Sequence, residues 1–285
     1  MPRRADISPL SRLMERVDAV SDGASPVDTI PTGFPSLDEL LGGGFRRGDL
    51  VVLGGDTGSG KSALALAIAL RVSETGRSTL LLTAEMETER VLERALAIEG
   101  RARIDDLRRG TLDEEARASV GAAAVRLRNN TIRIERAPSP GTTEVIRERI
   151  GEARDVQLVI VDPLQALALD AARRDEGLAA AVQHLKVLAM DQHIAIVLTA
   201  HLPAIARDRK DPRPQLDDFG TLGAVRQYAD VVLGLFREEM YQAGNGVEGA
   251  TELIVLKNRN GGMGYADLYF YKQWMRFEDM LDPDR

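Results

Sequence analysis

The sequence predicts an α/β protein with a mainly parallel central sheet, antiparallel strands at its C-terminal edge, and helices on both faces. From residue 48 onward, short apolar runs alternate with segments of helix length, as in proteins built from strand–helix–strand units. The early runs, such as TLLLTA at 79–84, are almost continuously apolar, which is typical of strands covered on both sides. The last three runs have no helix between them, which favours antiparallel pairing at that edge.

Individual elements follow from these runs. Strands are expected at 50–54, 79–84, 131–135, 156–161, 194–200, 230–236, 252–257 and 265–271. Helices are expected at 61–73, 87–99, 113–127, 142–153 and 176–190. Residues 1–28 are expected to form an arm ahead of one domain, 29–285. The arm carries apolar residues at helical spacing over ISPLSRLMERVDAV. Such a stripe needs a cover, either from its own domain or from a neighbouring subunit.

Composition narrows the class of protein. The chain has 285 residues and is 44% hydrophobic, which is enough for a substantial core. The absence of cysteine excludes disulfides, thiol nucleophiles and cysteine-based zinc sites. No membrane helix is expected because no apolar run approaches about 18 residues. No apolar segment follows MPRRADISPL, so we expect no signal peptide and a cytoplasmic protein. The net charge of −7 weighs against strong nonspecific DNA binding but leaves room for a locally basic channel.

A glycine-rich segment, GGDTGSGKSA, lies between an apolar run and a strong helix former. This context and the spacing Gly-x-x-x-x-Gly-Lys-Ser predict a P-loop that holds ATP. Gly55, Gly58 and Gly60 would adopt positive φ and let the backbone approach phosphate closely. Lys61 would reach the β- and γ-phosphates, and Ser62 would bind Mg²⁺. The predicted loop contacts are Gly55, Asp56, Thr57, Gly58, Ser59, Gly60, Lys61 and Ser62.

Hydrolysis also needs a carboxylate on the Mg²⁺ side, a group that activates water, and a contact to the γ-phosphate. Each has a candidate at the end of a predicted strand, where open α/β sheets bind ligands. Asp162 ends VQLVIVD and is the predicted Mg²⁺-side acid. Glu85 ends STLLLTAE and is the predicted general base, with Glu87 as a rival. His201 ends IAIVLTAH and could contact the γ-phosphate.

Two cationic segments complete the set of candidates. Lys257 and Arg259, in KNRNGG, lie two residues apart and so would point to the same side of a strand. They could extend into a neighbour's nucleotide, or simply form a basic hairpin tip. Over residues 203–213 four cations outnumber Asp208 and Asp211, so the long segment 203–219 is expected to be locally basic. It is either a functional loop or a solvated surface loop. Its cations are Arg207, Arg209, Lys210 and Arg213.

The order of these motifs resembles the C-terminal motor domain of DnaB-type replicative helicases, a RecA-like ATPase. The resemblance covers residues 30–278 approximately. The matching stretches are IPTGFPSLDELLGGGFRRGDLVVLGG, TGSGKS, AEM followed by Arg94, VIVDPLQAL, YADVVLGLFREEMY, LIVLKNRNGG and WMRFED. The resemblance implies a homo-oligomeric ring, a hexamer, with ATP and Mg²⁺ between subunits, translocating on single-stranded DNA and unwinding duplex.

The resemblance also implies roles for individual residues. Glu85 would be the catalytic base and Asp162 the Mg²⁺-side acid, and Arg94 would belong to the nucleotide-binding set. Lys257 and Arg259 would act in trans on the next subunit's ATP. The arm helix would match the linker helix that docks on a neighbouring subunit.

The sequence departs from the family pattern in three places. Only a short arm precedes the motor, so the collar and primase-binding roles of the family's N-terminal domain are not expected. His201 stands where these helicases usually have glutamine, although related phage ring helicases use histidine there.

The third departure is in the family's DNA-loop motif, Asp-Leu-Arg-Glu-Ser-Gly, which appears here as DFGTLG at 218–223. Backbone N–H groups of Gly220, Thr221 and Gly223 could still contact DNA phosphates, beside Arg207, Arg209 and Lys210. The stretches LGGGF and GGDTGSGKS also resemble the KaiC and RadA branches of the superfamily. The alternative function is therefore an ATP-dependent regulatory or assembly switch without helicase activity.

Overall fold

The structure, a computed structural model, describes residues 8–23, 28–137, 141–167, 173–203, 209–241 and 247–280. The helices are α1 (Pro9–Ser21), α2 (Pro35–Leu40), α3 (Lys61–Glu74), α4 (Thr88–Gly100), α5 (Ile104–Arg109), α6 (Glu114–Asn129), α7 (Thr143–Glu152), α8 (Arg174–Gln192) and α9 (Ala224–Tyr228). The strands are β1 (Thr29–Ile30), β2 (Phe45–Arg46), β3 (Leu50–Gly55), β4 (Thr79–Thr83), β5 (Ile132–Arg136), β6 (Leu158–Asp162), β7 (Ala195–His201), β8 (Val231–Phe236), β9 (Ala250–Asn258), β10 (Gly264–Tyr271) and β11 (Arg276–Asp279).

The main sheet runs in the order β11-β10-β9-β8-β3-β7-β6-β4-β5. From β5 to β8 every neighbouring pair is parallel, and β9, β10 and β11 add antiparallel pairs. The predicted mainly parallel sheet with an antiparallel C-terminal edge is confirmed. Strand β8 is parallel to β3 and antiparallel to β9, so it joins the parallel part of the sheet to the antiparallel part. The antiparallel part also includes β11, which the sequence analysis missed.

Helices cover both faces of the sheet, as predicted. Val51 and Leu53 of β3 face a core that also contains α3 and residues of α4. Leu50 and Val52 of the same strand face a second core with residues of α7, α8 and α9. Successive side chains of a strand point to opposite faces, so a continuously apolar strand contributes to both cores. This burial fixes the strand ends at which the candidate site lies.

The arm helix α1 forms as predicted. Its N-cap is Ser8, whose Oγ accepts a hydrogen bond from Ser11 N at 3.1 Å. Its apolar stripe is not covered by the part of the chain that the structure describes, since Leu10 is 67% exposed and Met14 50%. An ion pair between Arg16 and Asp28 links the helix to the start of the domain. Within the described ranges, no helix is both long and apolar enough to cross a bilayer.

Candidate active site

The P-loop joins β3 to α3 at the carboxyl edge of the parallel strands. Gly58 has a φ of +84° and Gly60 a φ of +105°, as predicted for residues without a Cβ. Gly55 is a correction: it ends β3 and is not among the positive-φ residues. A Cβ at Gly55 would lie 2.7 Å from Ser59 Oγ and 2.9 Å from Leu235 O. Gly55 is therefore required by lack of space and not by its φ.

Lys61 lies buried at the start of α3, with 5% of its surface exposed. Its Nζ donates a hydrogen bond to Asp56 O at 2.9 Å. Burial lowers the pKa of Lys61, while Asp162, Asp56 and Glu85 act in the opposite direction. The loop lysine thus lies within the electrostatic reach of both predicted catalytic carboxylates.

Ser62 and Asp162 meet as the predicted Mg²⁺ pair. Ser62 Oγ donates to Asp162 Oδ1 at 3.1 Å, and the Thr199 hydroxyl donates to the same carboxylate oxygen. Among the described residues, no group of three or more His, Cys, Asp and Glu side chains could hold a metal. Two oxygen groups without a complete protein cage fit Mg²⁺, which is usually held by few carboxylates together with water and nucleotide phosphates.

Glu85 and His201 also come together, although their strands β4 and β7 are separated by β6. His201 Nε2 lies 3.1 Å from Glu85 Oε1 and 3.3 Å from Oε2. An ionised carboxylate only accepts hydrogen bonds, so this contact requires the proton on Nε2. Gln165 fixes the backbone of His201: His201 N donates to Gln165 Oε1 at 3.0 Å, and Gln165 Nε2 donates to His201 O at 3.1 Å.

The rival base Glu87 has a different environment. It is exposed and forms an ion pair with Arg136 at 3.0 Å. Glu85 is the carboxylate that contacts the predicted γ-phosphate residue, and this geometry favours Glu85 over Glu87.

A cleft of about 430 Å³ lies over these residues. Its lining consists of Gly58, Gly60, Lys61, Ser62, Ala63, Arg94, His201, Arg237, Phe270, Lys272 and Met275. Burial lowers the pKa of Arg94, and its Nε has no hydrogen-bond partner among the described residues. An unpaired buried guanidinium donor beside Lys61 is the kind of group that an anionic ligand satisfies. The cleft therefore fits the predicted triphosphate.

Arg237 and Lys272 line the cleft but were missed by the sequence analysis. Arg237 follows β8 and is 6% exposed. Its Nη1 donates to Gly58 O at 3.2 Å, and its Nε donates to Glu239 Oε1 at 2.9 Å. Lys272 Nζ donates to Glu239 Oε2 at 2.8 Å. Arg237 comes directly after an apolar strand, so the rule that found Asp162 could have found it too.

Lys257 and Arg259 do not join this site within one chain. Arg259 N donates to Asp230 O at 2.8 Å, so Arg259 is level with the residue before β8. Gly55 is level with Leu235, near the end of β8. Five residues at about 3.3 Å each separate the two levels by roughly 16 Å along the strands. Lys257, on the antiparallel β9, pairs with Val232 near the start of β8 and so also lies away from the strand ends that hold the P-loop.

A comparison of the sequence with protein families identifies the family of this chain. Residues 29–279 match the family described as DnaB-like helicase C terminal domain. The chain belongs to this family. The matched range begins at the residue where the predicted domain begins and leaves α1 outside.

Two relatives represent the DnaB-like family among curated proteins. The replicative DNA helicase DnaC of Bacillus subtilis is 27% identical over 277 residues, 95% of this chain and 61% of that protein. The replicative DNA helicase DnaB of Geobacillus stearothermophilus is also 27% identical over 277 residues, with the same two coverages. The chain thus spans about three-fifths of the length of these relatives.

Solved structures show the same fold. One of them, an isolated ATPase domain, aligns with a TM-score of 0.85 at 23% identity, covering 97% of this chain and all of that one. A DnaB-like replicative helicase, solved in a study of its interactions with primase, aligns with a TM-score of 0.83 at 23% identity. That alignment covers 96% of this chain and 67% of the helicase. The predicted RecA-like α/β fold is confirmed.

Two of the four cations that predicted a basic 203–219 segment are paired with carboxylates. Arg207 lies outside the described residues. Arg209 Nη1 donates to both oxygens of Asp218, at 2.9 and 2.8 Å, and Arg213 donates to Glu252 at 2.7 and 2.6 Å. Lys210 is exposed, and no ion pair of Lys210 is found within the described ranges.

The segment DFGTLG at 218–223, compared above with the family's DNA-loop motif, has an unusual backbone. Gly220 and Gly223 are exposed, with φ of +55° and +79°. Thr221 also has positive φ, at +51°, but it is buried and its hydroxyl donates to Gly220 O at 2.8 Å. Of the three predicted phosphate contacts, the two glycines are therefore the exposed ones.

Proposed function

We propose that this protein is a ring-forming ATP hydrolase that couples ATP hydrolysis to translocation on single-stranded DNA and to duplex unwinding. The observation that carries the proposal is the convergence of Lys61, Ser62, Asp162, Glu85 and His201 beside one cationic cleft. The relatives are replicative DNA helicases by name, which supports the motor over the KaiC-like switch.

In the proposed reaction, the P-loop backbone and Lys61 bind the β- and γ-phosphates of ATP. Ser62 and Asp162 would hold Mg²⁺, which supplies charge neutralisation when bound. Water attacks the γ-phosphorus while the bond from that phosphorus to the β–γ bridging oxygen breaks and ADP leaves. Glu85 accepts the proton of the attacking water at its carboxylate. His201, fixed by Gln165 on its backbone, holds Glu85 through Nε2 before ATP binds. The same N–H would turn to the γ-phosphate when ATP is present, since a neutral imidazole has one N–H donor.

Each ATP site needs a second subunit in this proposal. Arg259 lies roughly 16 Å along the strands from its own P-loop, and Lys257, which pairs with Val232, lies roughly 10 Å from it. Both cations are therefore suited to the neighbour's nucleotide and not to their own. There they would neutralise the charge that develops on the transferred phosphoryl group. The uncovered stripe of α1 supports the same assembly, because an apolar helix face of this kind needs a partner surface.

DNA contact is assigned to Lys210 and to the exposed backbone of Gly220 and Gly223. With Arg209 and Arg213 already paired to carboxylates, the described loop offers few free cations. We therefore expect binding to single-stranded DNA that is measurable at low salt and weakens as salt rises.

The test is ATP turnover with and without single-stranded DNA at low salt. Glu85→Gln is the blank, since glutamine keeps the shape of the side chain but not its basicity. Glu87→Gln is the matched control and should keep wild-type turnover, because Glu87 is exposed and paired with Arg136. DNA-stimulated turnover that Glu85→Gln abolishes supports the motor. Turnover indifferent to DNA overturns the translocation part and favours the switch.

A further inference from the structure

The two cations proposed to act in trans are held by the same short stretch of chain. Arg259 Nη1 donates to Asp230 Oδ1 at 2.9 Å, and its Nη2 donates to Gln227 O at 3.1 Å. Lys257 Nζ donates to Arg226 O at 2.6 Å and also to Ala229 O. We call residues 226–230 the seat: it consists of the last turn of α9 and the residues that lead into β8.

Asp230 is the only carboxylate of the seat, and it is fixed from several sides. It is 2% exposed. Its Oδ2 accepts Leu50 N at 2.9 Å and Lys186 Nζ at 2.6 Å, while Oδ1 accepts Arg259. Its main chain exchanges further bonds, with Leu50 O and with Arg259 N. A carboxylate bonded this often has one orientation, so the guanidinium that it holds has a restricted position as well.

The seat leaves both cations with unused donors. An arginine side chain carries five N–H groups and a lysine three. Arg259 uses one at Asp230 and one at Gln227, and 48% of its side chain is exposed. Lys257 uses two at the carbonyls of the seat. Each cation can therefore keep its hydrogen bonds to residues 226–230 and still donate to a phosphate oxygen.

We propose that Asp230 is a positioning residue that holds Arg259 in the orientation in which it reaches the neighbouring subunit's ATP. This inference rests on the proposed in-trans function. Without Asp230, the long arginine side chain would have to be ordered during each reaction cycle, and misplacement of a catalytic group by about 1 Å can lower the rate up to roughly 100-fold.

A structural role is the competing explanation, because buried Asp230 also pairs with Lys186, whose side chain is 12% exposed. Removing one member of a buried ion pair is destabilising by itself. The experiment must therefore show on which subunit's ATP site the defect falls. We call Arg259, in its proposed role at the neighbour's ATP site, the finger. A defect of folding would disable the variant's own P-loop. A finger that has lost its orientation would disable only the ATP site of the neighbouring subunit.

Mixed rings separate these cases. Asp230→Asn keeps the side-chain shape, and alone it should lower kcat at least 10-fold with KM within about 2-fold of wild type. Lys61→Ala has an inactive P-loop but an intact finger. When Asp230→Asn is mixed with it in equal amounts, half of the subunits have an active P-loop, and half of those lie beside an intact finger. The mixture should therefore regain roughly a quarter of wild-type turnover. Mixed with Arg259→Ala, Asp230→Asn should regain nothing, because neither subunit then supplies an ordered finger.

The Arg259→Ala and Lys61→Ala mixture is the control. If this control is rescued and the Asp230→Asn mixture is not, Asp230 is structural and the inference is overturned. If the control itself fails, the in-trans function is wrong and the inference falls with it. Should Asp230→Asn not fold, the double variant Asp230→Asn/Lys186→Met removes the unpaired buried cation and takes its place in the same mixtures.

Discussion

Gly60, at the exit of the P-loop, offers a test of how tightly the loop is packed against the C-terminal edge of the sheet. Its φ is +105°. A Cβ at this position would lie 2.8 Å from Phe277 Cζ and 3.2 Å from Cε2. Phe277 is fully buried and stacks on Phe270 with ring centroids 4.3 Å apart. Gly60→Ala therefore meets both backbone strain and a rigid aromatic neighbour.

The magnitude follows from two additive parts. The left-handed backbone costs a residue with a Cβ about 1–2 kcal/mol, and overpacking against a filled core costs about 1–3 kcal/mol more. Gly58→Ala is the matched control within the same loop. Its φ is +84°, but the nearest atom to its Cβ is Met240 Cε at 3.9 Å. We expect Gly60→Ala to lose about 2–5 kcal/mol of unfolding free energy and Gly58→Ala about 1–2 kcal/mol.

Urea unfolding followed by circular dichroism, without nucleotide, measures both losses. The slope of unfolding free energy against urea should be the same for both variants, so that midpoints compare stability directly. A difference between the two variants of less than about 0.5 kcal/mol would show that Phe277 moves aside freely. The proposed rigid contact between the P-loop and β11 would then be wrong.

Burial, followed by the charge of Asp230, raises the pKa of Asp49 from 3.8 to about 6. The folded state then binds this proton more tightly than the unfolded state. Unfolding free energy should fall by at most about 3 kcal/mol as the pH rises from 4 to 6. Asp49→Asn should flatten that part of the curve in urea titrations, and an unchanged slope would assign the effect elsewhere. Lys61→Ala should abolish binding of a fluorescent ATP analogue, and normal affinity would refute the P-loop assignment. Lys210→Ala should lower the slope of log affinity for single-stranded DNA against log salt by about 0.7. Arg209→Ala should leave that slope unchanged because Asp218 already neutralises Arg209, and equal effects of the two variants would contradict this difference.

The sequence predicted the strands of the main sheet best where burial is local to the strand. Apolar runs such as those of β3 and β6 are covered on both faces and are recognisable without knowing their neighbours. Strand β11 was missed because three of its four residues are charged. Glu278 is paired with Arg71 at 2.7 Å, and Asp279 accepts Ser36 N at 2.8 Å across 243 positions of sequence. Partners that distant cannot be seen in a local pattern.

In the candidate site, too, residues placed by a local pattern could be predicted and residues placed by distant contacts could not. Residues that end parallel strands, such as Asp162 and His201, were predictable since those strand ends meet at one edge of the sheet. Lys272 reaches the cleft from beyond β10, and its position depends on the order β10-β9-β8-β3, which the sequence did not reveal. The comparison of charges in the 203–219 loop overestimated its basic character because it weighed the cations against Asp208 and Asp211 only. It left out Asp217 and Asp218, and Asp218 is the partner of Arg209.

The placement of Arg259 and the P-loop at opposite edges of one sheet has a consequence for assembly. A contact that joins two different surfaces of identical chains has a head and a tail. If Arg259 completes the next chain's site, an open row of subunits has one unfinished site at its end, and only a closed ring finishes all of them. Turnover per subunit would then measure the fraction of subunits in closed rings. The ring would also have a direction, since each chain completes the site of the neighbour on one side only.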